Sequence, residues 1–126
     1  MTQDQDLVRF IRFCCVGVCN TVIHIGLVLL IVELFLLAPP IANVIAFLFA
    51  NMTSYFFNAN WTFQKKRSIK LYFKFFLVSL IGLAISWSAV WLSVYLQAHY
   101  LIGVIGSIFL VVIVSYTLNR YFVFKD

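Results

Sequence analysis

Three cations sit among aromatic residues in this sequence, and they are the side chains with the clearest chemistry. Arg12 lies in Phe10-Ile11-Arg12-Phe13, Lys74 in Tyr72-Phe73-Lys74-Phe75, and Arg120 in Asn119-Arg120-Tyr121-Phe122. A cation at the end of an apolar run can hold a lipid phosphate, and Arg adds a bidentate fork. The competing role is orientation alone: Lys and Arg beside apolar spans fix membrane topology without touching a ligand. That role suits the cluster Lys65, Lys66, Arg67 and Lys70 best.

Uncharged polar residues form a second group. At 100° per residue, Gly17, Asn20, Thr21 and His24 share about a 100° arc of one helix. Asn43, Ala50, Asn51, Ser54 and Asn58 share a comparable arc of the next, and Ser79, Gly82, Ser86, Ser93 and Gln97 line a third. Gly103, Gly106 and Ser107 make a small-residue patch on a fourth. Small and hydroxyl residues serve helix packing, where interhelical hydrogen bonds contribute about 1 kcal/mol. Asn20, His24, Asn51 and Asn58 carry more polarity than packing requires, so they, with Asn119, are candidates for lining an internal polar groove.

Other reactive types carry less. Glu33 is the one carboxylate inside an apolar run, a functional candidate by default, but it lies near the outer end and points away from the Asn20–His24 face. It reads better as a carboxylate snorkelled to the interface. Cys14, Cys15 and Cys19 crowd into one helical stretch, without the spacing of a disulfide framework or a metal site, and free Cys packs as a small hydrophobe. No nucleophile–base pair, metal constellation or acidic pair is present, so neither an enzyme nor a cofactor is expected. Asn60-Trp61-Thr62 matches a glycosylation sequon, but at a boundary expected to face the cytoplasm.

The elements that must position these residues follow from composition. Of 126 residues, 64% are hydrophobic and 10% charged, against about 25% charged in a soluble domain. A soluble fold of this size has too little interior for so much apolar surface. The spans are expected at Phe13–Leu37, Ile41–Phe63, Leu71–Gln97 and Tyr100–Phe124, each near the roughly 20 residues that cross a bilayer. Backbone facing lipid must be helical or a closed barrel, so the expected class is an all-α membrane protein of four transmembrane helices. The opening MTQDQD is acidic and the apolar run is longer than a signal core, so a cleavable signal is not expected.

All nine Lys and Arg fall before the first span, between the second and third, or at the end of the fourth. The connections 38–43 and 98–100 contain none. The positive-inside rule then predicts that both termini face the cytoplasm. The net charge of +5 therefore reflects topology rather than nucleic-acid binding. Tyr55, Trp61 and Tyr116 gather near the expected cytoplasmic ends, where aromatic rings settle at headgroup depth.

The chain also repeats itself. Phe10–Phe13 corresponds to Tyr72–Phe75, and Ser54-Tyr55-Phe56-Phe57-Asn58 to Ser115-Tyr116-Thr117-Leu118-Asn119. Trp61-Thr62-Phe63 corresponds to Phe122-Val123-Phe124. Within a single transmembrane domain over 1–126, the halves at about 9–64 and 71–126 each read as a helical hairpin. With two spans apiece, they run in the same direction as parallel repeats.

The order of these segments resembles GtrA-like membrane proteins over nearly the whole chain. Arg9-Phe10-Ile11-Arg12-Phe13 followed by Val16-Gly17-Val18-x-Asn20-Thr21 carries the resemblance, with Pro39-Pro40-x-Ala42-Asn43 and Phe57-Asn58-x-x-Trp61-Thr62-Phe63. The second half matches from Lys74-Phe75 to Asn119-Arg120-Tyr121-Phe122-Val123-Phe124. It departs at Ser79, and at Gly82-Leu83 where Asn20-Thr21 would recur. The resemblance implies a flippase, or flippase subunit, for a polyprenyl-phosphate-linked sugar in the bacterial cytoplasmic membrane, serving cell-surface polysaccharide glycosylation. Arg12, Lys74 and Arg120 would then hold the lipid phosphate, and the polar faces would shield the sugar while the polyprenyl tail stays among membrane lipids. A homodimer is compatible with this. One alternative is a non-transporting anchor or stabiliser of a polyprenyl-phosphate glycosyltransferase. Another is a small multidrug exporter, which Glu33 serves poorly because it lies too far outward.

Overall fold

The computed structural model describes residues 2–125; Met1 and Asp126, the outer limits of the expected domain, lie outside the described residues. Among the described residues there is no strand, and four helices are long and apolar enough to cross a membrane. The chain divides into two compact units, 1–67 and 68–126.

In the first unit, α1 spans Gln3–Phe35, ten residues ahead of the expected start. The Thr2 hydroxyl accepts from Gln5 N at 3.3 Å, and the Gln5 side chain accepts from Thr2 N at 3.1 Å. This capping box, with Asp4 and Asp6 in the first turn, favours a helix start in polar sequence. A helix of 33 residues is about 50 Å long, against about 30 Å of hydrocarbon. Its polar first turns therefore fall outside the apolar span.

Leu36 ends α1 in the left-handed conformation, with φ 56°. Helix α2 covers Pro39–Phe57, starting on the proline pair, where a missing N–H costs nothing. It does not stop at Phe57 but widens into a π-helical turn over Asn58–Thr62, in which Phe63 N donates to Asn58 O at 2.8 Å. Near the loop, Ile31, Ala42 and Ala46 form a small core with Leu27, Val28, Val32 and Ile45 packed on it. The alanines let the two backbones approach.

The second unit has the same local order. Helix α3, Ile69–Tyr95, is capped by the Ser68 hydroxyl, which accepts from Leu71 N at 3.1 Å. Gln97 in the connection is left-handed, with φ 59°. Helix α4, Tyr100–Leu118, is capped by His99 Nδ1, which accepts from Leu101 N at 3.2 Å. It also passes into a π-helical turn, Asn119–Val123, closed by Phe124 N donating to Asn119 O at 2.8 Å. The tightest approach is at Gly103, where a Cβ would stand 2.5 Å from Ser93 Oγ and 2.6 Å from Ala89 O.

Candidate functional site

Each hairpin places its cation on its own π-helical turn. In the first, α1 carries Arg12 and the turn after α2 carries Trp61. The Arg12 guanidinium donates from Nη1 to Trp61 O at 3.0 Å and lies 5.4 Å from the centre of the Trp61 ring. Phe13 and Phe63 meet edge to face beside them, with centroids 6.3 Å apart. An i→i+5 turn admits about one more residue than an α-turn. Within it Asn58, Ala59 and Thr62 are buried while Trp61 is exposed.

In the second hairpin, Lys74 Nζ lies 5.2 Å from the centre of the Phe122 ring. Phe75 and Phe124 pack beside them at 6.2 Å. Arg120 shares the same turn but is buried, its guanidinium carbon 4.9 Å from the Tyr121 ring. Lys74 and Arg120 are thus held on neighbouring rings, and Arg12 has the equivalent place in the other hairpin. A ring face attracts a cation electrostatically, so both turns fix a positive charge at a helix end.

The same turns hold polar atoms with no hydrogen-bond partner among the described residues: Asn58 Oδ1 and Thr62 Oγ1 in the first, Asn119 Oδ1 in the second. The amide nitrogens are engaged. Asn58 Nδ2 donates to Ser54 Oγ at 3.3 Å and Asn119 Nδ2 to Ser115 O at 2.8 Å. A buried acceptor left bare costs about 1–3 kcal/mol, and a hydroxyl-bearing ligand would supply the missing donor.

The other expected polar residues are distributed differently. His24 Nε2 lies 2.8 Å from Asn43 Oδ1, an α1–α2 bond close to the small apolar core, and its ring meets Phe47 edge-on at 6.4 Å. Asn20 is half-buried, with Oδ1 enclosed and without a partner among the described residues. Asn51 is buried. Of the three rings expected at the interface, Trp61 is exposed, Tyr116 half-buried and Tyr55 buried against Phe56. Glu33 is exposed near the end of α1. Among the described residues no three His, Cys, Asp or Glu side chains gather where they could hold a metal ion.

Two features escape a reading of residue types. The π-helical turns are one, and their only trace in the sequence is the repeated Ser-Tyr-x-x-Asn. The other is Arg67, whose guanidinium lies 4.8 Å from the Phe56 ring, so part of the loop cluster is docked rather than merely solvated.

Residues 12–124 match the protein family described as GtrA/DPMS, transmembrane domain. The chain belongs to that family. As a GtrA/DPMS domain with four apolar helices, it is a multi-pass membrane protein. It is 27% identical over 124 residues to a dolichol-phosphate mannosyltransferase of Pyrococcus furiosus, an alignment covering 96% of this chain and 35% of the relative. The GtrA/DPMS chain therefore spans about a third of that relative's length.

Proposed function

We propose that this GtrA/DPMS chain moves a polyprenyl-phosphate-linked sugar across the bacterial cytoplasmic membrane, alone or as a flippase subunit, for glycosylation of cell-surface polysaccharide. One observation carries the reading: each hairpin holds a cation over an aromatic ring of a π-helical turn, and that same turn begins with a buried asparagine whose acceptor has no partner among the described residues. The cation suits a lipid phosphate, and the acceptor suits sugar hydroxyls, which are donors. The role is one of binding and passage rather than bond-making. Both termini are assigned to the cytoplasm, because in each hairpin the basic residues lie at the end opposite the loop. A homodimer is compatible with this reading.

The test is purified protein in liposomes containing a fluorescent polyprenyl-phosphoglucose analogue, with leaflet exposure read by an impermeant quencher. Accelerated exchange that is lost in Arg12→Ala is expected; exchange no faster than in protein-free liposomes overturns autonomous transport.

A second reading has its own support. The relative from Pyrococcus furiosus is named as a mannosyltransferase, and this chain matches a third of it, which favours a membrane part that anchors or stabilises a polyprenyl-phosphate glycosyltransferase. Stable co-purification with such a transferase, with its activity unchanged by Asn58→Leu, would support this reading over transport.

A further inference from the structure

The second hairpin has an apolar groove of about 550 Å³, and its lining includes Leu77, Val78, Ile81 and Ala84 of α3 with Leu118 and Phe122 of the other arm. This volume lies within the range of ordinary ligand pockets. The groove has a charged head. Lys74, Leu77, Val78 and Ile81 follow at i, i+3, i+4 and i+7, so they share one face of α3. Lys74 Nζ sits over the ring of Phe122, itself a groove residue. Among the described residues that ring is the ammonium's contact, which leaves its N–H donors available for phosphate oxygens.

We propose that this groove seats the head-proximal part of a polyprenyl monophosphate, with the phosphate on Lys74 and the first isoprene units along Leu77, Ile81 and Leu118. The inference rests on the transport reading only for the identity of the lipid. One groove headed by one such ammonium matches one hydrocarbon chain and one phosphate; a diacyl phospholipid would leave its second chain outside. The first hairpin is not equivalent here. Its corresponding positions are Cys15, Val16, Cys19, Val22, Phe57 and Trp61, smaller at the places of Leu77 and Ile81. Its cation already donates to a backbone carbonyl. The asymmetry assigns lipid seating to one hairpin: the first has Cys15 and Cys19 in place of the Leu77 and Ile81 wall, and bulkier Val22, Phe57 and Trp61 in place of Ala84, Leu118 and Phe122.

Photolabelling tests this on the purified full chain in nanodiscs. The probe is a sugar-free polyprenyl monophosphate with a diazirine in its first isoprene units, and labelled positions are read by mass spectrometry. Label concentrated on 77–84 and 118–122 is expected, weakened about tenfold by Lys74→Gln, as loss of one charge-assisted phosphate contact implies. Ala84→Trp, at an exposed position, is expected to exclude label by filling the groove. Label spread evenly over both hairpins, or indifferent to both substitutions, overturns the proposal. So does displacement by phosphatidylglycerol as readily as by unlabelled polyprenyl phosphate. Because the probe carries no sugar and no transport is measured, failed transport with intact labelling rejects the flippase and leaves the groove standing.

Discussion

Asn58 and Asn119 occupy the same place in their two hairpins: each opens a π-helical turn, and its carbonyl accepts a 2.8 Å bond from the phenylalanine five residues on. Both side chains are buried at 2% exposure, and both leave Oδ1 without a partner among the described residues. The turns then differ at two buried positions, Ala59 against Arg120 and Thr62 against Val123, and the second pair is close in shape.

That difference yields a prediction. The Thr62 hydroxyl is enclosed and without a partner among the described residues, whereas a methyl of the same shape is already accepted at Val123. Thr62→Val is expected to raise stability by about 1 kcal/mol, the order of a relieved desolvation penalty. If the hydroxyl reads a sugar, the same variant loses affinity for the sugar-bearing lipid and keeps it for sugar-free polyprenyl phosphate. Thermal midpoints in detergent and lipid binding by native mass spectrometry check the two halves. A lowered midpoint would show that the hydroxyl is already satisfied.

The four helices were legible because apolar runs of membrane length are separated by cations or prolines, and nothing in the fold competes with that pattern. The start of α1 was not, since the apolar run begins at Phe13 while the helix is set by a cap at Thr2. The arcs put His24 and Asn43 on the polar faces of their helices, yet angle carries no depth, so their 2.8 Å pairing left no trace in the spacing. The π-helical turns are too short to leave a periodicity. The departure at Gly82 has a packing counterpart: a Cβ there would stand 3.3 Å from Val111 Cγ1. The first hairpin exchanges the sizes, with Asn20 in place of Gly82 and Ala50 in place of Val111.

Arg12 is held twice, by the Trp61 carbonyl and by the ring. Arg12→Lys keeps the charge but loses the planar fork that reaches both. A destabilisation of about 1 kcal/mol is expected, from one hydrogen bond and part of a cation–π contact. Trp61→Phe retains the carbonyl and a ring, so it should cost less. Thermal midpoints of the two variants give the ranking, and a larger loss in Trp61→Phe would place the ring above the bond.

Gly103 is predicted to be the least replaceable glycine. A methyl there meets Ala89 O at 2.6 Å and Val90 Cα at 2.8 Å, backbone atoms that move only if α3 and α4 separate. Overpacking of this kind costs about 1–3 kcal/mol. Gly103→Ala should lower the thermal midpoint clearly, and Gly82→Ala only slightly. Gly106→Ala, with nothing within 4 Å, should leave it unchanged or raise it. Equal effects at all three positions would contradict the close approach.

The two loops hold matching strain. Leu36 and Gln97 end or follow their helices at φ 56° and 59°, in a left-handed region that costs a non-glycine residue about 1–2 kcal/mol. Glycine removes that cost but adds about 0.5–1 kcal/mol of unfolded-state freedom. Leu36→Gly and Gln97→Gly are therefore each expected to stabilise by up to about 1 kcal/mol. Leu36 is 84% exposed, so its side chain gives up little packing within the protein. Gln97 N donates to Val94 O at 3.0 Å, and glycine keeps that bond. Leu36→Ala separates the causes, because alanine shortens the side chain while leaving the backbone strained. A thermal midpoint that rises for glycine and not for alanine identifies the dihedral as the origin; equal rises would assign the effect to the exposed leucine side chain instead.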